Sequence, residues 1–193
     1  MIIDSMSIGP NYRKLTVAAP GATEDTYLPG QCVVLEGRYF ALAGARTGQL
    51  DVVVPERWVS SWRENSPMRH PVGPGFEAHD SPTAHVVAGG TGISAAVSLV
   101  RHRSQAGLDT VVQFVGRSVR RSDVVAAFPL LEEVDLDCWD TSEWGRPMAV
   151  EMLPPHVIKS GVTLFFAGPR SLLDELTSHP ARPKLHLNTR EEK

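Results

Sequence analysis

The stretch Ala84-His85-Val86-Val87-Ala88-Gly89-Gly90-Thr91-Gly92-Ile93-Ser94-Ala95 decides the fold of this chain. Its apolar beginning suits a buried strand. Its end opens a helix: Ile93, Ala96, Val97 and Val100 fall on one helical face, which predicts a helix to about Arg103, stopped by Gly107. Between them, Gly90-Thr91-Gly92-Ile93-Ser94-Ala95 fits the pattern G-x-G-x-x-G/A in its strand–turn–helix setting. Without Cβ atoms the backbone turns tightly, and its N–H groups at the helix N-terminus can approach a pyrophosphate. The same string also serves a tight strand-to-helix turn that binds nothing. A Walker A loop would need Gly-Lys-Ser/Thr, where Ile93-Ser94 stand, and a nucleophile elbow would need a glycine at Ala96.

Toward the C-terminus strand and helix alternate. Thr110–Val115 is a strand, Asp123–Phe128 a helix capped by Ser122, and Val134–Cys138 a third strand. Val162–Ala167 is the clearest strand of the chain. Ser171 with Asp174 forms a capping-box-like pair before the helix Leu172–Ser178, and Lys184–Asn188 closes the sheet. This alternation predicts a doubly wound parallel sheet covered on both faces, an α/β nucleotide-binding domain over residues 80–193.

Toward the N-terminus the rhythm is different. Leu15–Ala18, Gln31–Leu35, Arg38–Ala43 and Gln49–Val54 are short strands separated by Gly or Pro, which predicts a small antiparallel β-barrel over residues 1–76. From Arg57 to Asn65, Trp58 and Trp62 share a helix face, as barrel-end caps or as core aromatics. Ser66 to Pro82 holds Pro67, Pro71, Pro74 and Pro82, a composition that helices and central strands reject, so the domain boundary is expected near residues 70–80. The chain shows no internal repeat and no low-complexity segment.

Of the 193 residues, 42% are hydrophobic, enough for one substantial core or two small ones. Lys and Arg number 19 against 22 Asp and Glu, a formal charge of −3 that gives no basic footprint for nucleic acid or membrane. No run approaches the roughly 18 apolar residues of a membrane span. The start, Met-Ile-Ile-Asp-Ser-Met, lacks the pattern of a signal peptide, so a cytoplasmic protein is expected. Cys32 and Cys138 are too few for a disulfide framework or an iron–sulfur cluster, and the histidines fall at no metal-ligand spacing.

Several further strings occur in a telling order. Leu28-Pro29-Gly30-Gln31, Arg38-Tyr39-Phe40-Ala41-Leu42-Ala43-Gly44, Gly73-Pro74-Gly75-Phe76, the glycine turn above, Val115-Gly116-Arg117 and Phe166-Ala167-Gly168-Pro169 follow one another along nearly the whole chain. Together they resemble the ferredoxin–NADP reductase superfamily. Arg38–Gly44 is similar to its flavin motif R-x-Y-S/T-x-x-S, and Ala167-Gly168-Pro169 to its Cys-Gly-Pro. The resemblance implies a flavin-dependent NAD(P)H oxidoreductase, or an electron-transfer subunit of one, that passes a hydride between NAD(P)H and FAD or FMN. It implies that Arg38 binds a flavin phosphate, that Phe40 stacks on the ring, and that Tyr39 and Ala41 adjoin the flavin. It places the pyrophosphate at Gly89, Gly90, Thr91 and Gly92, and the nicotinamide at Ala167, Gly168 and Pro169. The departures matter too. Phe40 stands for tyrosine, Ala41 for Ser/Thr, Gly44 for serine, Ala95 for proline and Ala167 for cysteine. The first half is short, a second flavin-phosphate element is not recognisable, and no aromatic stands at the end. These losses imply the alternative, a reductase-like nucleotide- or partner-binding accessory protein without flavin chemistry. No side chain stands out as a catalytic acid, base or nucleophile.

The second strand ends in Gly116-Arg117-Ser118-Val119-Arg120-Arg121, with no acid before Asp123. Guanidinium forks suit phosphate, so Arg117, Ser118, Arg120 and Arg121 point to NADP(H) over NAD(H). An acceptor protein is expected as redox partner, and the short barrel's apolar edges predict a homodimer.

Overall fold

The computed structural model describes residues 2–24, 27–60, 62, 68–76, 82–153, 155, 162–178 and 186–189. Its first part holds β1 (Ile2–Ile8), β2 (Tyr12–Ala18), β3 (Cys32–Leu35), β4 (Arg38–Arg46), β5 (Gln49–Pro55), α1 (Glu56–Val59) and β6 (Met68–Val72). The second part holds β7 (Thr83–Gly89), α2 (Ile93–Gln105), β8 (Asp109–Gly116), α3 (Arg121–Ala127), β9 (Asp135–Asp140), α4 (Ala149–Met152), β10 (Thr163–Ala167), α5 (Arg170–Ser178) and β11 (His186–Thr189).

The first six strands form one antiparallel sheet in the order β1-β2-β5-β4-β3-β6. It wraps a core that includes Leu15, Val17, Val33, Phe40, Val52 and Trp58. Alternation in β4 directs Phe40 and Leu42 into that core and Ala43 to the opposite face. Two expectations change here. The N-terminal residues, too polar to signal a strand, pair with β2 as the exposed edge β1. Part of the expected linker is β6; its Pro71 is tolerated because β6 is an edge strand, where a missing N–H breaks no ladder. α1 ends at Val59, and residues 61 and 63–65 of the expected helix lie outside the described ones. Trp58 is buried and meets Trp62 edge to face at 4.9 Å, so the pair is core material.

β11-β10-β7-β8-β9 is the parallel sheet. The chain starts at β7, winds out to β9, then returns across β7 to β10. That reversal puts a topological switch point between β7 and β10, at their carboxyl ends. α2 and α3 share the core on one face, while α4 and α5 bury Met152, Leu172 and Leu176 with Val87, Leu164 and Phe166 on the other. The fold class is therefore the expected one, an antiparallel barrel-like sheet followed by a doubly wound parallel sheet. Two caps differ from expectation. α3 begins at Arg121, with no side-chain cap from Ser122. Ser171 lies inside α5, where its hydroxyl accepts a 2.6 Å bond from Arg146 Nη2. Of the predicted last strand, 184–185 lie outside the described residues.

α2 is buried nearly all round because it packs between the two sheets. Ile8, Ala43, Val53 and Phe76 of the first part join its core. The contact also has a polar pin: the Val53 N–H donates to Ser94 Oγ at 2.8 Å. Phe76 meets Phe165 edge to face at 5.7 Å and lies on Gly30, where a Cβ would come within 2.8 Å of its ring. Among the described residues no helix is long and apolar enough to cross a membrane.

Candidate functional site

At the switch point the backbones of β7 and β10 approach so closely that side chains are excluded. A Cβ on Gly92 would overlap the Ala167 carbonyl oxygen and lie 3.2 Å from Gly168 N. A Cβ on Gly168 would lie 2.9 Å from Gly89 N, and one on Gly89 2.7 Å from Pro169 Cδ. The glycine turn and Ala167-Gly168-Pro169 therefore form one crevice. Gly90 has φ of +57°, a left-handed backbone that glycine adopts freely, and Thr91 is half-buried beside it. The positive end of the α2 dipole faces this turn.

The first sheet closes one side of the crevice. Tyr12, at the start of β2, stands 3.7 Å from where a Gly90 Cβ would be, and its ring meets Phe114 edge to face. Its hydroxyl accepts the Arg117 N–H at 3.4 Å, while Asn11 Nδ2 donates to the Arg117 carbonyl at 3.0 Å. Tyr12 thus links the glycine turn to the loop after β8. Neither residue carries a motif, so nothing local in the sequence marks them.

That loop is built around a carboxylate. Ser118 takes φ of +53° and donates its N–H to Asp140 Oδ1 at 2.8 Å. Ser142 adds its N–H at 2.8 Å and its hydroxyl at 2.6 Å to the same oxygen. These donors, the Ser142 hydroxyl foremost, hold the Asp140 carboxyl below the usual carboxylate range. Ser118 Oγ also donates to Ser142 Oγ at 3.2 Å. Ser118, expected at the nucleotide site, therefore has its N–H engaged by the chain's own acid. Arg117, Arg120 and Arg121 are exposed and make no side-chain hydrogen bond or ion pair among the described residues.

A folded carboxyl with a depressed pKa adds stability that is fully present above its unfolded value, near 3.9, and lost as pH falls through the lower folded one. Asp140→Asn is accordingly expected to flatten the acid side of the stability profile, measured as urea midpoints against pH. An unchanged acid limb would show that this network holds no linked proton.

The barrel residues assigned to the flavin are placed differently. Phe40 is buried against Trp58, with ring centroids 4.9 Å apart, and the Arg38 guanidinium lies 6.0 Å over the same indole. Tyr39 is 55% exposed, and Ala41 packs half-buried against the core shared with α2. The structure gathers Gly89–Gly92, Arg117–Ser118 and Ala167–Pro169 around the crevice, whereas Arg38 and Phe40 meet at Trp58. Phe40 thus packs on the chain's own indole, and the exposed Arg38 reaches over the same ring.

Among the described residues no cluster of His, Cys, Asp or Glu could hold a metal ion. Burial and the neighbouring Asp137 push the Cys138 thiol up to about 12, so it stays protonated at neutral pH.

No family model and no curated protein sequence matches the chain. Solved structures do resemble it. The structure of an NADH-dependent reduced ferredoxin–NADP oxidoreductase aligns over 100% of this chain and 76% of its own, at 16% identity with a TM-score of 0.74. The ferredoxin–NADP+ reductase of Plasmodium falciparum aligns over 98% of this chain and 94% of its own, at 13% identity with a TM-score of 0.62. An intact type IV self-sufficient cytochrome P450 monooxygenase aligns at 20% identity with a TM-score of 0.71, over 99% of this chain but only 28% of its own. The chain thus spans well under a third of that monooxygenase. With its strand orders, its switch-point crevice and these similarities, the chain has the fold of the ferredoxin–NADP reductase superfamily.

Proposed function

We propose that the chain binds NAD(P)H in the crevice of Gly89–Gly92 and Ala167–Pro169 and works in NAD(P)H-linked electron transfer, as a flavin reductase or an electron-transfer subunit of one. One observation carries this reading: Gly89, Gly92 and Gly168 pack against the facing backbone and Pro169 at the switch point, and the half-buried Gly90, with Tyr12 beside it, stands at a helix N-terminus. In this reading the nicotinamide lies by Ala167–Pro169, the pyrophosphate meets the Gly89–Gly92 backbone, and an acceptor protein receives the electrons. A bound flavin, FAD or FMN, would supply hydride acceptance in such a protein. Residues 1–76 and 80–193 are taken as the barrel and the nucleotide unit, and the exposed Ile3 and Met6 on edge strand β1 support a homodimer.

Trp58 favours a second reading. With Arg38 and Phe40 engaged by that indole, the chain is a flavin-free nucleotide- or partner-binding accessory protein. The visible spectrum of the purified protein separates the two. A yellow protein bleached by NAD(P)H supports the reductase. A colourless protein that stays so with added FAD or FMN supports the accessory protein, and if it also fails to bind either pyridine nucleotide, both readings fall.

The exposed Arg120 and Arg121 favour NADP(H) over NAD(H), because a guanidinium donates two parallel bonds to a phosphate and stays charged. Asp140 opposes this only by engaging Ser118. The double variant Arg120→Ala/Arg121→Ala is expected to lose about tenfold or more in NADP(H) affinity while leaving NAD(H) nearly unchanged. Calorimetric titration of both nucleotides checks it. Equal binding of the two by wild type, or an unaltered preference in the variant, contradicts this role.

A further inference from the structure

α2 carries a polar stripe on the side that meets β4. Ser98, Arg101, His102 and Gln105 recur at the spacing of one helical face and line a cavity of about 90 Å³. The wall opposite is Leu42, Gly44 and Ala45 of β4, with Tyr27 beside them. Arg101 is half-buried, and its guanidinium lies against Gly44, with Nη1 nearest. A Cβ at residue 44 would overlap Nη1 and come within 2.9 Å of Cζ. Glycine at this position lets the guanidinium sit against the β4 backbone; with a larger residue it would have to swing aside.

The contrast with Arg103, two residues on, is informative. Arg103 is fully buried and spends its donors on Thr110 Oγ1 at 3.0 Å and the Asp109 carbonyl at 2.8 Å. Arg101 makes no hydrogen bond or ion pair among the described residues. The guanidinium in the cavity wall, flanked by a hydroxyl and an amide, turns several hydrogen-bond donors toward the cavity. Planar or tetrahedral oxyanions complement it, since a guanidinium donates to two oxygens at once. Among the described residues that line the cavity, Glu24 is the one carboxylate.

We propose that this seam binds a small oxyanion, the carboxylate or phosphate group of a metabolite, through Arg101 with Ser98 and Gln105. The site is separate from the nucleotide crevice. Arg101 stands nine residues along α2 from Gly92, about 14 Å at the helical rise. Glu24 repels the ligand at the mouth and so sets a ceiling on affinity.

The test uses the full chain. Inorganic phosphate and acetate are titrated separately, with sodium chloride at matched ionic strength as reference, while backbone amide shifts are followed by NMR. Saturable shifts at Gly44 and Ser98–Gln105 with phosphate alone assign a phosphate ligand, and with acetate alone a carboxylate. Either result should weaken about tenfold or more in Arg101→Gln and tighten in Glu24→Gln. Ser98→Ala, milder at the seam, should weaken binding too and covers the case in which Arg101→Gln fails to fold. No saturable shift with either anion, the same shifts with chloride, unchanged binding in Arg101→Gln or Ser98→Ala, or weaker binding in Glu24→Gln would each overturn the proposal.

Discussion

Gly92→Ala is expected to cost about 3 kcal/mol of folding stability and to abolish nucleotide binding. The backbone at this position, φ −60° and ψ −15°, is ordinary helical geometry that alanine adopts as readily as glycine. The cost is therefore steric alone. The new methyl would overlap the Ala167 carbonyl oxygen and come within 2.6 Å of its carbon. Both atoms belong to the backbone of β10, inside the sheet, and cannot turn aside as a side chain would. The first turn of α2 must lift from β10, which opens the crevice that the nucleotide reading depends on. Gly90→Ala is the control. Its left-handed φ costs about 1 kcal/mol, but its nearest neighbour, Tyr12, is 3.7 Å away, so packing survives. Urea unfolding followed by tryptophan fluorescence ranks the two. A Gly92→Ala protein as stable as Gly90→Ala would show that the contact between the start of α2 and β10 is looser than the structure has it.

Arg103→Met is expected to destabilise the fold by about 3 kcal/mol. The side chain is wholly buried, and its fork ties the end of α2 to the start of β8 through Thr110 and the Asp109 carbonyl, and reaches the Pro82 carbonyl at 3.4 Å. Burial lowers its proton affinity, yet a guanidinium still stays charged. Methionine fills much of the volume but strands a buried hydroxyl and a carbonyl without their donor. Arg103→Lys should lose nearly as much, because a single ammonium cannot reach both sides of the fork. Chemical denaturation at neutral pH measures both, and amide exchange should quicken first at Asp109–Val111. A lysine variant with wild-type stability would mean that charge, and not the fork, holds this joint.

The parts of this protein legible in its sequence are those set by local rules. Val162–Ala167 and Thr110–Val115 are apolar runs long enough only for strands buried on both faces, and the structure has β10 and β8 there. Gly89–Gly92 lies between a strand and an amphipathic helix, so its position at a strand's carboxyl end followed from spacing alone. β1 was not legible, because an exposed edge strand buries almost nothing and keeps no alternation. Nor was β6, whose Pro71 signals a break in any strand except an edge.

The crevice divides the same way. Its glycines announce themselves, since their missing Cβ atoms are a covalent property of the chain. Tyr12 at Gly90, Asp140 under Ser118 and Trp58 against Phe40 and Arg38 are long-range contacts, settled only when two sheets pack around α2. The sequence by itself determined the strand–helix alternation of the second part and the glycine turn, because periodicity and backbone sterics act between near neighbours. Tertiary structure alone decided which charges are spent and which stay free. Arg103 is buried and bonded while Arg101 is not, although they stand two residues apart on one helix, because only packing sets what faces each side.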